Sequence, residues 1–226
     1  MSKLELVAQQ IDDINKGKKF NKVSNVDVLE YMKNRTAEED NIKPVSDFKD
    51  DLIEKLSGKT AQGATMPWVK THDQVKFREA EVSMWTGFNG HKKSMVLGYI
   101  ALDFIRQHQP VCIASFEMKP ASTLFRMLKQ ATGTKDPDMD DLERFMMWSD
   151  KSLFMYDHQG SLSAERLYGV ITYAAKELKV KHMVIDSLMR VIPGEDSYNE
   201  QKDFVTKLCD LAIQLNIHIH LVHHVK

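Results

Sequence analysis

Between a strand-like run, Val82-Ser83-Met84-Trp85-Thr86, and a helix-like run from Met95 to Gln107 lies Gly87-Phe88-Asn89-Gly90-His91-Lys92-Lys93-Ser94. A loop that wraps phosphate needs Gly, four residues, Gly, Lys, and then Ser or Thr, placed after a strand and before a helix. Gly87, Lys93 and Ser94 stand at the demanded positions, and Lys92 occupies the place of the second glycine. The chemistry follows from the ligand, because a nucleotide offers little to grip except its charged phosphates. Backbone N–H groups of Asn89, Gly90, His91 and Lys92 can curl around them, the Lys93 ammonium can reach the β and γ oxygens, and the Ser94 hydroxyl can ligate Mg²⁺. A non-glycine residue at positive φ costs about 1–2 kcal/mol, so Lys92 is expected to weaken nucleotide binding without abolishing it.

Two acids are candidates for the rest of the chemistry. Glu117 directly follows the apolar run Val111-Cys112-Ile113-Ala114-Ser115-Phe116, where a carboxylate can position and polarise an attacking water. Asp186 closes Met183-Val184-Ile185 and can hold Mg²⁺ through water, complementing Ser94. The C-terminus, Ile217-His218-Ile219-His220-Leu221-Val222-His223-His224, is rich in histidine but has no cysteine or acid to complete a zinc set. His224 is expected just past a strand's carboxyl end, as a polar sensor of the γ-phosphate. His218 and His220 read as half-buried strand positions on the face opposite Ile219 and Leu221. Phe145-Met146-Met147-Trp148 reads as core filler. The long connection from Met189 to Glu200 offers Arg190, and Lys202 just beyond it, to single-stranded nucleic acid.

The elements that must position these residues alternate. From about Pro67 the pattern predicts strands at Val82–Thr86, Val111–Phe116, Leu153–Tyr156, His182–Ile185 and Ile217–Val222. Helices are expected at Met95–Gln107, Ala121–Ala131, Asp138–Trp148, Ala164–Leu178 and Glu200–Leu215. Strands separated by helices imply right-handed crossovers and a parallel sheet, with ligands at the carboxyl ends of the strands. Residues 1–63 differ in texture: charged, poor in aromatics, with amphipathic helices expected at Leu4–Ile14, Val26–Lys33 and Val45–Leu56. So few large apolar residues make a poor core, and this stretch reads as a linker or docking arm. The expected division is therefore a helical arm over 1–63 and an α/β P-loop domain over 64–226.

Composition closes off other classes. The 226 residues carry 42% hydrophobic and 28% charged side chains and a net charge of −1, a globular balance without a global basic field. Cys112 and Cys209, each in an apolar run, read as reduced core residues of a cytosolic protein. The N-terminal residues lack a signal-peptide pattern, and no apolar run is long enough to span a bilayer.

Taken in order, Pro67-Trp68, Glu81 to Ser94, Cys112 to Pro120, Val184-Ile185-Asp186-Ser187-Leu188-Met189 and His218 to His224 resemble the RecA-type ATPase domain of DnaB/Twinkle-type replicative helicases. The similarity is greatest to the helicase half of phage primase–helicases. The resemblance implies a RecA-like P-loop fold with a central parallel sheet flanked by helices. It also implies a homohexameric ring driven along single-stranded DNA by ATP or another NTP or dNTP with Mg²⁺, in a bacterial or phage-infected cytoplasm beside a primase and other replisome proteins. It matches Lys93 and Ser94 to the phosphate loop, Glu117 to the catalytic base, Asp186 to the magnesium aspartate and His224 to the phosphate sensor. It also implies an arm over residues 1–60 that grips a neighbouring subunit. Relative to that family the chain is C-terminally incomplete: the family's arginine finger lies past the point matching Lys226, and without it slow hydrolysis is expected. Two other readings share the core: a non-catalytic nucleotide-binding ring partner or regulator, and a RecA-type recombination or loading ATPase.

Overall fold

The computed structural model describes residues 44–57, 63–192 and 198–224. The helices expected at Leu4–Ile14 and Val26–Lys33 lie outside the described residues. The chain divides into two units, Met1–Thr60 and Ala61–Lys226. In the first, the expected helix Val45–Leu56 is split into a 3-10 turn, Val45–Phe48, and α1, Lys49–Leu56. Its apolar residues Val45, Phe48, Leu52, Ile53 and Leu56 are all exposed.

The second unit is built on β1 (Val82–Gly87), β2 (Val111–Ser115), β3 (Leu153–Met155), β4 (His182–Asp186) and β5 (His218–His224), with all pairings parallel. Strand order across the sheet is β1-β5-β4-β2-β3. The crossovers are α2 (Lys93–Arg106), α3 (Pro120–Thr132), α4 (Met139–Ser149), α5 (Ala164–Lys176) and α6 (Tyr198–Leu215). Every residue of β2 and β4 is buried, as expected of central strands covered on both faces, and this is why their sequences run apolar without alternation. One face packs Ala114, Met183, Ile185, Ile219 and Leu221 against Leu167 and Ile171 of α5 and Phe204 and Leu208 of α6. The other packs Val111, Ile113, Val184 and Val222 against Ile100, Ala101 and Phe104 of α2 and Met127 of α3. The result is a three-layer α/β/α, RecA-like core.

Local signals set the helix ends. Pro120 opens α3 and Gly133 closes it in the left-handed conformation. Asp138 and Asp141 form a reciprocal capping box at the start of α4. Two readings from sequence change on folding. Of Phe145, Met146, Met147 and Trp148, only Phe145 enters the core, because one helix face turns inward while Met147 stands 85% exposed. Likewise Cys112 is buried, with its thiol pushed up to about 12 by burial, but Cys209 lies on the outer side of α6, exposed. Among the described residues, no helix is long and apolar enough to cross a membrane.

His218 and His220 prove fully buried, joined by His182. Their rings lie on the α2 side of the sheet, where His182 stacks on Phe104 with centroids 4.0 Å apart. Hydrogen bonds fix the tautomers. Trp85 Nε1–H donates to His220 Nδ1 at 3.3 Å, so the proton of His220 is on Nε2, which donates to His182 Nδ1 at 3.1 Å. His218 donates from Nδ1 to the Arg78 carbonyl at 2.5 Å and accepts the Ser83 hydroxyl on Nε2 at 2.8 Å. Polar side chains can occupy this core because they are bonded to one another.

Burial holds all three histidines neutral: His182 is lowered to about 3, His220 well below its ordinary value, and His218 lowered. Between pH 6.5 and about 3 the unfolded chain therefore binds protons that the folded chain excludes, so stability falls as pH drops through that window. Each histidine held fully neutral contributes a slope of about 1.4 kcal/mol per pH unit there. Melting temperature measured from pH 7.5 downward should decline steadily below 6.5, and a flat profile to pH 5 would contradict a neutral buried trio.

Candidate functional site

Parallel pairing brings the singled-out residues to one edge. Gly87, the last residue of β1, pairs with His224, the last residue of β5, and Asp186 at the end of β4 pairs with Ser115 at the end of β2. Glu117 follows two residues on. β5 runs two residues further than its apolar pattern suggests, so His224 is inside the strand instead of beyond it. The cause is pairing: β1 supplies partners for His223 and His224 up to Gly87.

The phosphate loop carries its strain where the pattern asks for glycine. Lys92 adopts φ 58° and ψ 26°, the left-handed region, immediately before α2, and Gly90 sits at φ 81°. The helix nonetheless starts normally, with the Lys92 carbonyl accepting from Met95 N and Val96 N at 3.0 Å each. Lys93 folds back over its own loop. Its ammonium donates to the Gly87 carbonyl at 2.6 Å, the Phe88 carbonyl at 3.0 Å and His224 Nδ1 at 3.1 Å. An ammonium has donors only, so His224 Nδ1 is an acceptor and the neutral ring carries its proton on Nε2. That nitrogen lies 3.6 Å from Glu117 Oε1, an electrostatic contact longer than a hydrogen bond. His224 thus stands between the phosphate lysine and the candidate base.

Three groups address Glu117 Oε1: the Ser187 hydroxyl at 3.3 Å, His224 Nε2 at 3.6 Å and Arg190 Nε at 3.8 Å. Asp186 is 4% exposed and its Oδ1 has no hydrogen-bond partner. Burial raises its pKa, the Ser94 hydroxyl opposes that rise, Glu117 adds to it, and His224 and Lys93 oppose it. A buried carboxylate oxygen left unpaired costs free energy, and beside a serine hydroxyl it fits a hard cation that takes oxygen ligands. Ser94 and Asp186 also line an inner cavity of about 20 Å³, room for one water-sized oxygen.

The open cleft outside measures about 570 Å³ and is lined by Asn89, Gly90, Lys92, Lys93, Ser94, Met95, Glu117, Arg126, Arg190 and His224. A cleft of this size suits a small-molecule ligand, and its four Lys and Arg residues against one glutamate suit an anionic one. Three candidates behave differently from the rest: Gly87 does not line the cleft, its carbonyl accepting from the Lys93 ammonium instead. His91 turns its ring onto Phe88, with centroids 5.3 Å apart, and does not line the cleft. Asp186 reaches the inner cavity, with Ser94 between it and the cleft.

Reading by motif missed Arg126, Ser187 and the position of Arg190. Arg126 lies on α3, borders both cavities and directs its Nη2 to the Met118 sulfur. A basic residue on the helix that follows the Glu117 strand was the available signal. Ser187 is visible in the sequence as the residue after Asp186, and Arg190, offered to nucleic acid from sequence, lies with its Nε 3.8 Å from Glu117 Oε1.

Residues 64–226 match a family model described as an AAA domain. No curated protein matches the chain at a significant level.

Lys92→Gly isolates the cost of the loop. Relief of left-handed strain, partly offset by the greater freedom of glycine in the unfolded chain, should stabilise the protein by about 0.5–1 kcal/mol. At this size that raises the melting temperature by about 1–4 °C. A lower melting temperature would show that the Lys92 side chain holds the loop by contacts worth more than the strain.

Proposed function

The chain belongs to the AAA-domain family, and from that premise we propose that its P-loop NTPase domain is the Mg²⁺-dependent motor core of a ring-shaped replicative DNA helicase that moves along single-stranded DNA. The observation that carries this reading is convergence. Lys93–Ser94, Glu117, Asp186 and His224 arise on four separate segments, yet meet at one sheet edge bordering a cationic cleft. Their order along the chain, in the helicase-like pattern set out above, supports the choice of helicase among P-loop NTPases.

Each residue has a task in hydrolysis. The loop amides bind phosphate, and Lys93 exchanges the carbonyls of Gly87 and Phe88 for phosphate oxygens. Ser94 and Asp186 are the residues that would hold Mg²⁺, which would supply charge neutralisation to the phosphates. Glu117 orients a water and takes its proton. Its described contacts all fall on Oε1, which leaves Oε2 for that water. His224 touches both Lys93 and Glu117 and can report phosphate arrival to the base. The arm over residues 1–63 is the candidate contact to a neighbouring subunit of a hexamer, supported by the exposed apolar stripe of Val45, Phe48, Leu52, Ile53 and Leu56.

A second reading is a nucleotide-sensing ring partner without turnover. It is favoured by the three acceptors that already occupy the Lys93 ammonium, since these must be released before the lysine can serve a phosphate.

The purified chain should bind Mg-ATP and hydrolyse it faster with single-stranded DNA present. Lys93→Ala should lose binding, whereas Glu117→Gln should keep binding and lose turnover by about 10²–10⁴-fold. Binding without any turnover selects the regulator. Turnover indifferent to single-stranded DNA removes the helicase assignment, and no nucleotide binding at millimolar concentration removes both readings.

A further inference from the structure

Arg190 belongs to none of the motifs, yet it stands at the reacting end of the cleft. It closes the 3-10 turn Leu188–Arg190 that follows β4. The turn is fixed: Arg190 N donates to the Ser187 carbonyl at 3.1 Å, and the Arg190 carbonyl accepts from Leu162 N at 3.1 Å. Leu188 and Val191 on either side are buried. The guanidinium, by contrast, is half exposed and loosely held, with Nε 3.8 Å from Glu117 Oε1. A rigid backbone thus presents a cation that is free to swing.

The other cleft cations stand elsewhere. Lys93 is engaged by its own loop, Arg126 is directed to the Met118 sulfur, and Lys92 belongs to the phosphate loop at the start of α2. Arg190 is therefore the guanidinium in contact with Glu117 among the described residues. If Glu117 orients the attacking water, that water lies between the carboxylate and the terminal phosphorus. A side chain touching the carboxylate is then within a short swing of the terminal phosphate and remote from the nucleoside end. Guanidinium presents a planar fork of donors suited to phosphate oxygens.

We infer that Arg190 is a further catalytic residue, one that binds the terminal phosphate of the nucleoside triphosphate from within the same subunit by giving up its loose contact with Glu117. One movement would then have two effects. It adds a cation where negative charge must be stabilised during phosphoryl transfer, and it leaves Glu117 Oε1 without its guanidinium neighbour. This inference rests on the nucleotide-site reading above.

The test compares wild type, Arg190→Ala and Arg190→Lys by titration with fluorescent ATP and ADP analogues in Mg²⁺, together with turnover across pH. Arg190→Ala should weaken ATP binding about tenfold while leaving ADP binding within about twofold, and lower kcat about 10²-fold. Arg190→Lys should recover part of the ATP affinity. The side chain is half exposed, so an unchanged melting temperature is expected and serves as the folding control. Equal loss of ATP and ADP affinity overturns a terminal-phosphate role. Unchanged affinities with a shifted acidic limb of the kcat profile mean that Arg190 only holds Glu117. Unchanged nucleotide kinetics with lost stimulation by single-stranded DNA mean that it faces the nucleic acid; either result overturns the inference and leaves the nucleotide site intact. Wild type that binds neither nucleotide overturns the site reading itself.

Discussion

The register of three parallel strands governs the site. β5 lies between β1 and β4, pairing Gly87 with His224 on one side and Asp186 with Val222 on the other. Side chains along a strand alternate between faces, so a slip of one residue would turn His224 away from Lys93 and send Val222 out of the α2-side core. Burial enforces the register. Val184, Val222, His218, His220 and His182 all lie on the α2 side, while Met183, Ile185, Ile219 and Leu221 fill the opposite layer. Core packing and site geometry are consequences of one pairing pattern.

The charges at that edge are arranged in mutual tension. Lys93 satisfies carbonyls and a histidine nitrogen within its own loop, Glu117 is approached by Ser187, His224 and Arg190, and Asp186 is buried with one oxygen unpaired. Each of these contacts is one that phosphate or a divalent cation could take over. An anionic phosphate would compete for Lys93, and a hard cation would answer the unpaired carboxylate oxygen. The buried histidines show the contrasting solution for polar groups in the same unit. They are neutral: His182 and His220 are bonded to each other, His220 also to Trp85, and His218 to Ser83 and the Arg78 carbonyl, so their polarity is spent within the core.

Much of this was legible in the chain. The five strands and the helices between them follow from apolar runs and helical spacing, and the phosphate loop follows from its glycine, lysine and serine between a strand and a helix. Where the pattern wants a second glycine, Lys92 adopts the left-handed backbone that glycine would have supplied, because the geometry of the loop, not the residue, sets that angle. Other features were hidden. Whether Met147 or Cys209 is buried depends on the phase of a helix against its layer, and whether His224 ends a strand depends on how far the neighbouring strand continues to offer partners.

The sequence by itself determined the class of chemistry: a phosphate loop, two acids and a histidine, each at the end of an apolar strand or beside one. Local patterns suffice for that, because a loop of backbone amides, a lysine and a hydroxyl are specified within eight consecutive residues. Only the tertiary structure decided which charges meet. Ser187 and Arg190 at Glu117, Arg126 between the two cavities, and His224 between Lys93 and Glu117 are contacts between segments as much as 131 positions apart. Such proximity is set by strand order, and strand order is fixed by burying both faces of the sheet at once.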